Sequence, residues 1–261
     1  MKTQNCLSVL FVFMVFTTKI YSQYSDEGYN YIGIKGGISI PNLSAGSSDN
    51  PLNSGYSSRL GPDFAIFFEK GLSEKFSFMP QLEYSSQGGQ RKGLQALPTP
   101  PEIAEVLTQL GLPVSPYVYA DFNTEVKLNY LMLSALAKFN WRLGQESAFS
   151  FYVEAGPFAG LLLSAHDITS GSSNIYLDEQ KQQQLTQDAQ SFDYDVDFKD
   201  ELHTGNFGVT GDLGLSFDLT GSRLFIEGGG NYGFVSIQKD SENGKNHTGA
   251  ATVRIGYAIN F

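Results

Sequence analysis

The chain has 261 residues, 41% of them hydrophobic and 13% aromatic, with 28 glycines and a formal charge of -10. A chain this acidic repels phosphate, which excludes nucleic acid as a partner. Its single cysteine, Cys6, excludes a disulfide framework, and once the leader containing it is removed it also excludes a thiol nucleophile and a Cys-ligated metal.

In chain order, residues 1–22 read as a secretory signal peptide. Lys2 is the basic start, Leu7 to Phe16 the apolar stretch, and Ser22-Gln23 the expected cleavage site. Its loss removes Lys2 and Lys19 and no acid, moving the charge from -10 to -12. No later apolar run is long enough for a membrane helix. Residues 23–261 instead show period-two alternation, the strand signature of one apolar and one polar wall.

Eight strands are predicted, at 31–40, 60–70, 76–89, 126–142, 148–165, 204–219, 222–237 and 248–261. Gly71 to Lys75, Leu143 to Ser147 and Thr220-Gly221 are tight turns. Pro41 to Arg59, Gln90 to Glu125, Ala165 to His203 and Gln238 to His247 are long, polar loops. The pattern predicts an all-β fold: an eight-stranded antiparallel up-and-down transmembrane β-barrel. Its short turns would be periplasmic and its long loops extracellular, with both termini in the periplasm of a bacterial outer membrane.

The last strand is the clearest. Ala251, Val253, Ile255, Tyr257, Ile259 and Phe261 form one wall, and Thr252, Arg254, Gly256, Ala258 and Asn260 the other. Phe261 is expected to be the signal read by the barrel-insertion machinery. Phe76, Trp141, Phe149, Tyr257 and Phe261 sit where an aromatic girdle belongs. In the fourth strand the pattern weakens, because Met132 and Leu136 share the polar wall with Ser134 and Lys138.

The inward set carries both signs of charge: Lys35, Glu69, Glu83, Lys138, Glu154, Asp212, Glu227 and Arg254. An eight-stranded barrel is just wide enough for side chains to fill, so these charges are expected to pair and block the lumen. Arg254 should meet an inward glutamate. A proton or ion path is the rival reading of the same residues. No cofactor is expected.

In the loops, Pro100 to Leu110 places Ile103, Val106, Leu107 and Leu110 at helical spacing after a proline start, predicting a short helix over the barrel mouth. From Asp167 to Glu201 there are nine acids and two lysines. If extended, Asp193, Asp195 and Asp197 share one face and form a weak candidate for calcium, or for divalent ions shared with lipopolysaccharide. They lack the glycine and terminal glutamate of a calcium-binding loop, so a solvated strand extension is the plainer account. His166, His203 and His247 lie at loop bases, and His166 with Ser164 or Ser170 and Asp167 forms a candidate base, nucleophile and orienter.

Tyr31-Ile-Gly-Ile-Lys-Gly-Gly-Ile-Ser39, Phe78-Met-Pro-Gln-Leu-Glu-Tyr84, Asn129 to Phe139, Tyr152 to Gly160 and Arg254-Ile-Gly-Tyr257 resemble the PorT-like outer-membrane β-barrel family of Bacteroidota. Ser134 departs from it at a place where proline is common. The resemblance implies a small barrel, and its namesake's role implies a link to an envelope secretion complex. Three functions follow. The first is a non-enzymatic barrel contacting lipid, lipopolysaccharide and an envelope protein partner. The second is a lipid A-modifying hydrolase or acyltransferase. The third, a soluble lipocalin-like barrel, would put its apolar wall inside.

Overall fold

In the computed structural model, the described residues are 29–45, 52, 55–144, 147–239 and 245–261. The expected signal peptide lies outside them. Eight long strands form a closed antiparallel ring: β1 (Asn30–Ala45), β2 (Gly61–Gly71), β3 (Phe76–Pro98), β4 (Tyr117–Arg142), β5 (Phe149–Ser170), β9 (Gly205–Leu219), β10 (Ser222–Gly233) and β11 (Asn246–Asn260). Each pairs with the next, and β11 returns to β1 in unbroken register from Tyr31↔Asn260 to Ala45↔Asn246. Closure leaves the ring no edge and satisfies its backbone groups internally. Three short pieces, β6 (Ser172–Ser173), β7 (Gln190–Ser191) and β8 (Tyr194–Asp197), lie between β5 and β9.

Alternation decides which wall faces where. Ile34, Phe64, Leu133, Leu213 and Ile255 are outward and exposed, whereas Lys35, Asp63, Glu83, Asp212 and Arg254 are inward and buried. This is the reverse of a soluble lipocalin-like barrel. On β4 the outward apolar run extends from Leu131 to Trp141, and ten strand steps at a tilt near 40° give roughly 25 Å, the height of a barrel's lipid-facing band. Aromatic pairs fringe the short-turn end of this band: Phe149–Phe217 with ring centroids 4.8 Å apart, Phe139–Trp141 at 4.5 Å and Phe68–Phe261 at 6.1 Å.

Two apolar clusters cross the lumen. At the short-turn end Phe67, Met79, Leu136, Tyr152, Phe225 and Ala258 pack together. At the long-loop end Val126, Leu128, Tyr130, Met132, Phe158 and Leu162 pack with Leu43, Leu202 and Ile237. The inward Met132 and Leu136 that blur the alternation of β4 therefore belong to these clusters.

Several expected boundaries are corrected. β3 and β4 stay paired up to Pro98↔Tyr117, so much of the predicted loop 90–125 is a ribbon. Its alternating buried Val118, Ala120, Phe122 and Thr124 carry the strand pattern onward. β5 likewise runs to Ser170, and β10 stops at Gly233 rather than 237. The predicted helix forms as α1 (Pro101–Gln109), with Leu107 buried beneath it and Val106 and Leu110 exposed. It sits at the tip of the β3–β4 ribbon, however, and does not cap the mouth; Leu202 and Ile237 do, held by Leu202↔Gln238 bridging and the His203 N–H donating to the Ile237 carbonyl at 2.8 Å.

A bulge opposite Asn129/Tyr130 leaves Leu163 as an extra residue in β5, because Asn129 pairs with Ser164 and Tyr130 with Leu162. An extra residue flips every later side chain to the other face. Ser164 and His166 therefore turn outward and Ala165 and Asp167 inward. At the seam, Gly37 of β1 approaches β11 so closely that a Cβ there would collide with the Val253 carbonyl. Gly37→Val is expected to prevent closure, read as loss of heat-modifiable migration on gels, whereas Gly249→Ala, which meets only ordinary contacts, should migrate as wild type.

Candidate functional site

The barrel interior holds one continuous ion-pair chain, which begins between the two clusters and passes the short-turn cluster toward the short turns. Arg254 on β11 is its hub. Its Nε lies 2.6 Å from Asp63 Oδ1, its Nη2 3.0 Å from Glu83 Oε1, and its Nη1 3.3 Å from both Asp212 Oδ2 and Glu227 Oε1. Lys35 Nζ bridges Glu227 Oε1 at 2.7 Å and Glu154 Oε1 at 3.0 Å. Lys138 continues to Glu69 Oε2 at 3.0 Å, with Glu154 Oε2 at 3.9 Å. Arg223 then joins Glu69 Oε2 at 3.6 Å to Asp218 Oδ1 at 2.6 Å near the short turns.

Neutral donors reach most of these carboxylates, while Glu154 Oε2 has only the Lys138 ammonium at 3.9 Å. Ser85 Oγ donates to Asp63 Oδ2 at 3.0 Å, Gln81 Nε2 to Glu83 Oε2 at 2.6 Å, Ser77 Oγ to Glu69 Oε1 at 2.8 Å and Tyr152 Oη to Glu227 Oε2 at 2.8 Å. Aromatic faces complete the solvation of the cations. Lys138 Nζ stands 4.0 Å from the Tyr152 ring centroid, and Arg223 Cζ 4.4 Å from that of Tyr31. Glu154, Asp212 and Glu227 bring ligand atoms within 4.8 Å of one another, a spacing that suits a metal ion. The Lys35 ammonium already lies between Glu154 and Glu227, and the Arg254 guanidinium between Asp212 and Glu227, so the chain supplies its own cations there.

All eight inward charges read from the sequence fall in this chain. Asp63 and Arg223 do as well, although the sequence reading omitted both. Parity is the signal that finds them: Asp63 is six residues from Glu69 on β2, and Arg223 four from Glu227 on β10. Each lies near a strand start, where the alternation has few neighbours to support it.

The loop candidates are not assembled as expected. Because β5 runs on to Ser170, the neighbouring His166 and Asp167 point to opposite faces, so Asp167 cannot orient that ring. The partner of His166 is Asp195, with Nδ1 and Oδ1 2.9 Å apart, and Ser164 Oγ instead accepts from Asn129 Nδ2 at 2.9 Å. The Asp193, Asp195 and Asp197 carboxylates do not converge on a common point. Asp193 accepts the Gly171 N–H and the Ser191 hydroxyl, each at 3.0 Å, and these bonds, the backbone one foremost, hold its carboxyl below the usual range. Asp197 accepts the Lys199 N–H at 3.0 Å. Among the described residues, only Glu154, Asp212 and Glu227 form a three-residue group of metal-ligand spacing. His247 stacks on Tyr232 with centroids 6.0 Å apart, and His203 stands separately at the mouth.

The outer membrane protein beta-barrel domain family matches residues 21–239. The chain belongs to that family. Among solved structures it is similar to Neisserial surface protein A, with 10% identity over 90% of this chain and 100% of that one, at a TM-score of 0.41. The attachment invasion locus protein Ail of Yersinia pestis shares 13% identity over 90% and 100% of the two chains, at 0.36. OprG from Pseudomonas aeruginosa shares 13% over 89% and 96%, at 0.37. No curated protein matches.

In this outer-membrane barrel the outward apolar wall faces lipid, and Phe261 extends it, exposed and against Phe68. Removing the hub tests the lumen. Arg254→Met leaves four carboxylates short of a cation and should cost about 3–5 kcal/mol in urea unfolding. Arg254→Lys should recover only part, since an ammonium cannot fork among four partners. Arg254→Met combined with Asp63→Asn and Glu83→Gln should be more stable than Arg254→Met alone.

Proposed function

We propose that the protein is a non-enzymatic integral barrel that acts through its long-loop end, docking an envelope or surface partner rather than conducting solutes. The filled lumen carries this reading: an unbroken ion-pair chain interleaved with two apolar clusters gives water no continuous path, and wider barrels are needed for aqueous channels. The long-loop end, by contrast, is elaborated. There the β3–β4 ribbon carries α1 beyond the ring, and β8 adds a further strand to β5.

In this reading residues 1–22 are a cleaved signal and 23–261 the barrel. The short turns and both ends of the ring face the periplasm, and the barrel-insertion machinery recognises Phe261. The outward wall turns polar at Lys127, Asn129, Ser164 and His166, which suits lipid and lipopolysaccharide headgroups. The resemblance to the PorT-like family of Bacteroidota supports an envelope secretion complex as the setting. In planar bilayers the purified protein is expected to give no steady conductance, and large, stable single-channel steps would overturn the closed-lumen reading.

A lipid A-modifying hydrolase or acyltransferase remains a second reading because the His166–Asp195 pair lies on the outward face, on the same strand face as Ser164. Lipid A mass spectra from wild type, deletion and His166→Ala strains decide it. The barrel reading expects identical spectra, and a deletion-dependent acyl change reproduced by His166→Ala would establish the enzyme.

A further inference from the structure

Above the ring, β5 exchanges one neighbour for another. β9 begins only at Gly205, and along His166–Thr169 its place is taken by β8, in the register His166↔Asp197 to Thr169↔Tyr194. Among the described residues β8 pairs with β5 alone and is the outermost strand of the sheet. The Phe198 N–H donates to the Ala165 carbonyl at 3.2 Å and the Phe192 N–H to the Gly171 carbonyl at 2.9 Å. In an antiparallel pair alternate residues exchange hydrogen bonds, so the even-numbered residues aim their peptide groups at β5. Asp195 and Asp197 aim theirs at the open edge.

The side chains of this edge are two-sided. Tyr194 and Val196 stand on one face, 61% and 53% exposed, and Asp195 and Asp197 on the other. The edge has no proline, bulge or lysine, and what guards it against casual pairing is its four-residue length and its two aspartates. Its carboxylates repel another acidic strand, including a second copy of itself, and attract a basic one. With these two included, the segment from Asp167 to Glu201 carries nine acids against two lysines, which reinforces that field.

We propose that β8 receives an extended basic polypeptide segment as an added strand. Lysine or arginine at alternate positions would meet Asp195 and Asp197, and apolar residues between them would lie on Tyr194 and Val196. Backbone hydrogen bonding supplies the hold and the alternation supplies the selectivity. This rests on the reading of the long-loop end as a docking surface and names the chemistry of what docks there.

The test uses the full protein in lipid nanodiscs and a fluorescent peptide of alternating lysine and valine, followed by anisotropy. Its control is the same peptide N-methylated at alternate residues, which keeps charge and composition but removes edge hydrogen bonds. Saturable binding that weakens at least about tenfold on N-methylation is expected, because several strand hydrogen bonds are lost at once. Asp195→Asn with Asp197→Asn should weaken binding several-fold and flatten its salt dependence, with gel migration confirming that the barrel is intact. Equal binding of the two peptides would reduce the effect to charge attraction and overturn the proposal, as would no binding. Crosslinking in cells separates this from the broader reading. If replacing residues 172–201 removes a partner that the double asparagine variant keeps, only the strand-edge claim fails. If neither change alters the crosslinked partners, docking through this loop fails too.

Discussion

Everything inside the barrel answers to one requirement: four cations and their carboxylates are held in a space with little or no bulk water. Arg254 meets it most economically. A planar guanidinium presents donors in several directions at once, and here they reach Asp63, Glu83, Asp212 and Glu227 on four different strands. Such pairs add little net stability over apolar packing, but they are severe about geometry, since a displaced partner leaves a bare charge. The network therefore fixes which strands are neighbours and at what register, a task that outward-facing leucines and isoleucines cannot perform against fluid lipid.

Layering extends the same logic. Aromatic and aliphatic clusters layered through the lumen lower the local dielectric and strengthen the pairs that adjoin them. The short-turn cluster also lends ring faces to Lys138 and Arg223. At the other end the Leu163 bulge changes the role of β5. Below it the strand is a barrel stave, and above it the outward face becomes polar and the strand becomes a scaffold for β8.

Strand number, ring order and the walls of each strand were legible in the sequence, because period-two alternation survives wherever one face meets lipid and the other a packed lumen. The inward charges were legible by parity alone, and parity also reaches Asp63 and Arg223. Three things were not. The β3–β4 ribbon above the ring alternates tyrosine, aspartate and asparagine with small apolar residues, and its polar face reads as loop. The bulge at Leu163 is silent, because Leu161, Leu162 and Leu163 give no cue to which is the extra residue, so parity cannot assign the faces of Ser164 and His166. Residues past 165 read as loop, which allows Asp167 to meet His166, whereas in the extended strand neighbours face apart. The placement of α1 depends on how far the ribbon carries it, which helical spacing does not encode.

The ion-pair chain also constrains the order of assembly. Lys35 and Glu154 are 119 residues apart in sequence, and Arg254 and Asp63 are 191 apart. Hairpins satisfy only part of the network: β10–β11 brings Glu227 to Arg254 and β4–β5 brings Glu154 to Lys138, whereas Lys35 and Asp63 find their partners only across the ring, and an open sheet would present those charges bare to hydrocarbon. The nascent lumen must stay hydrated until β1 meets β11, so joining the seam and expelling the water are a single late event with a high entropic threshold. Closure of this barrel is thus a dehydration step, and Arg254, standing at the seam, is the group whose meeting with Asp63 and Glu83 completes it.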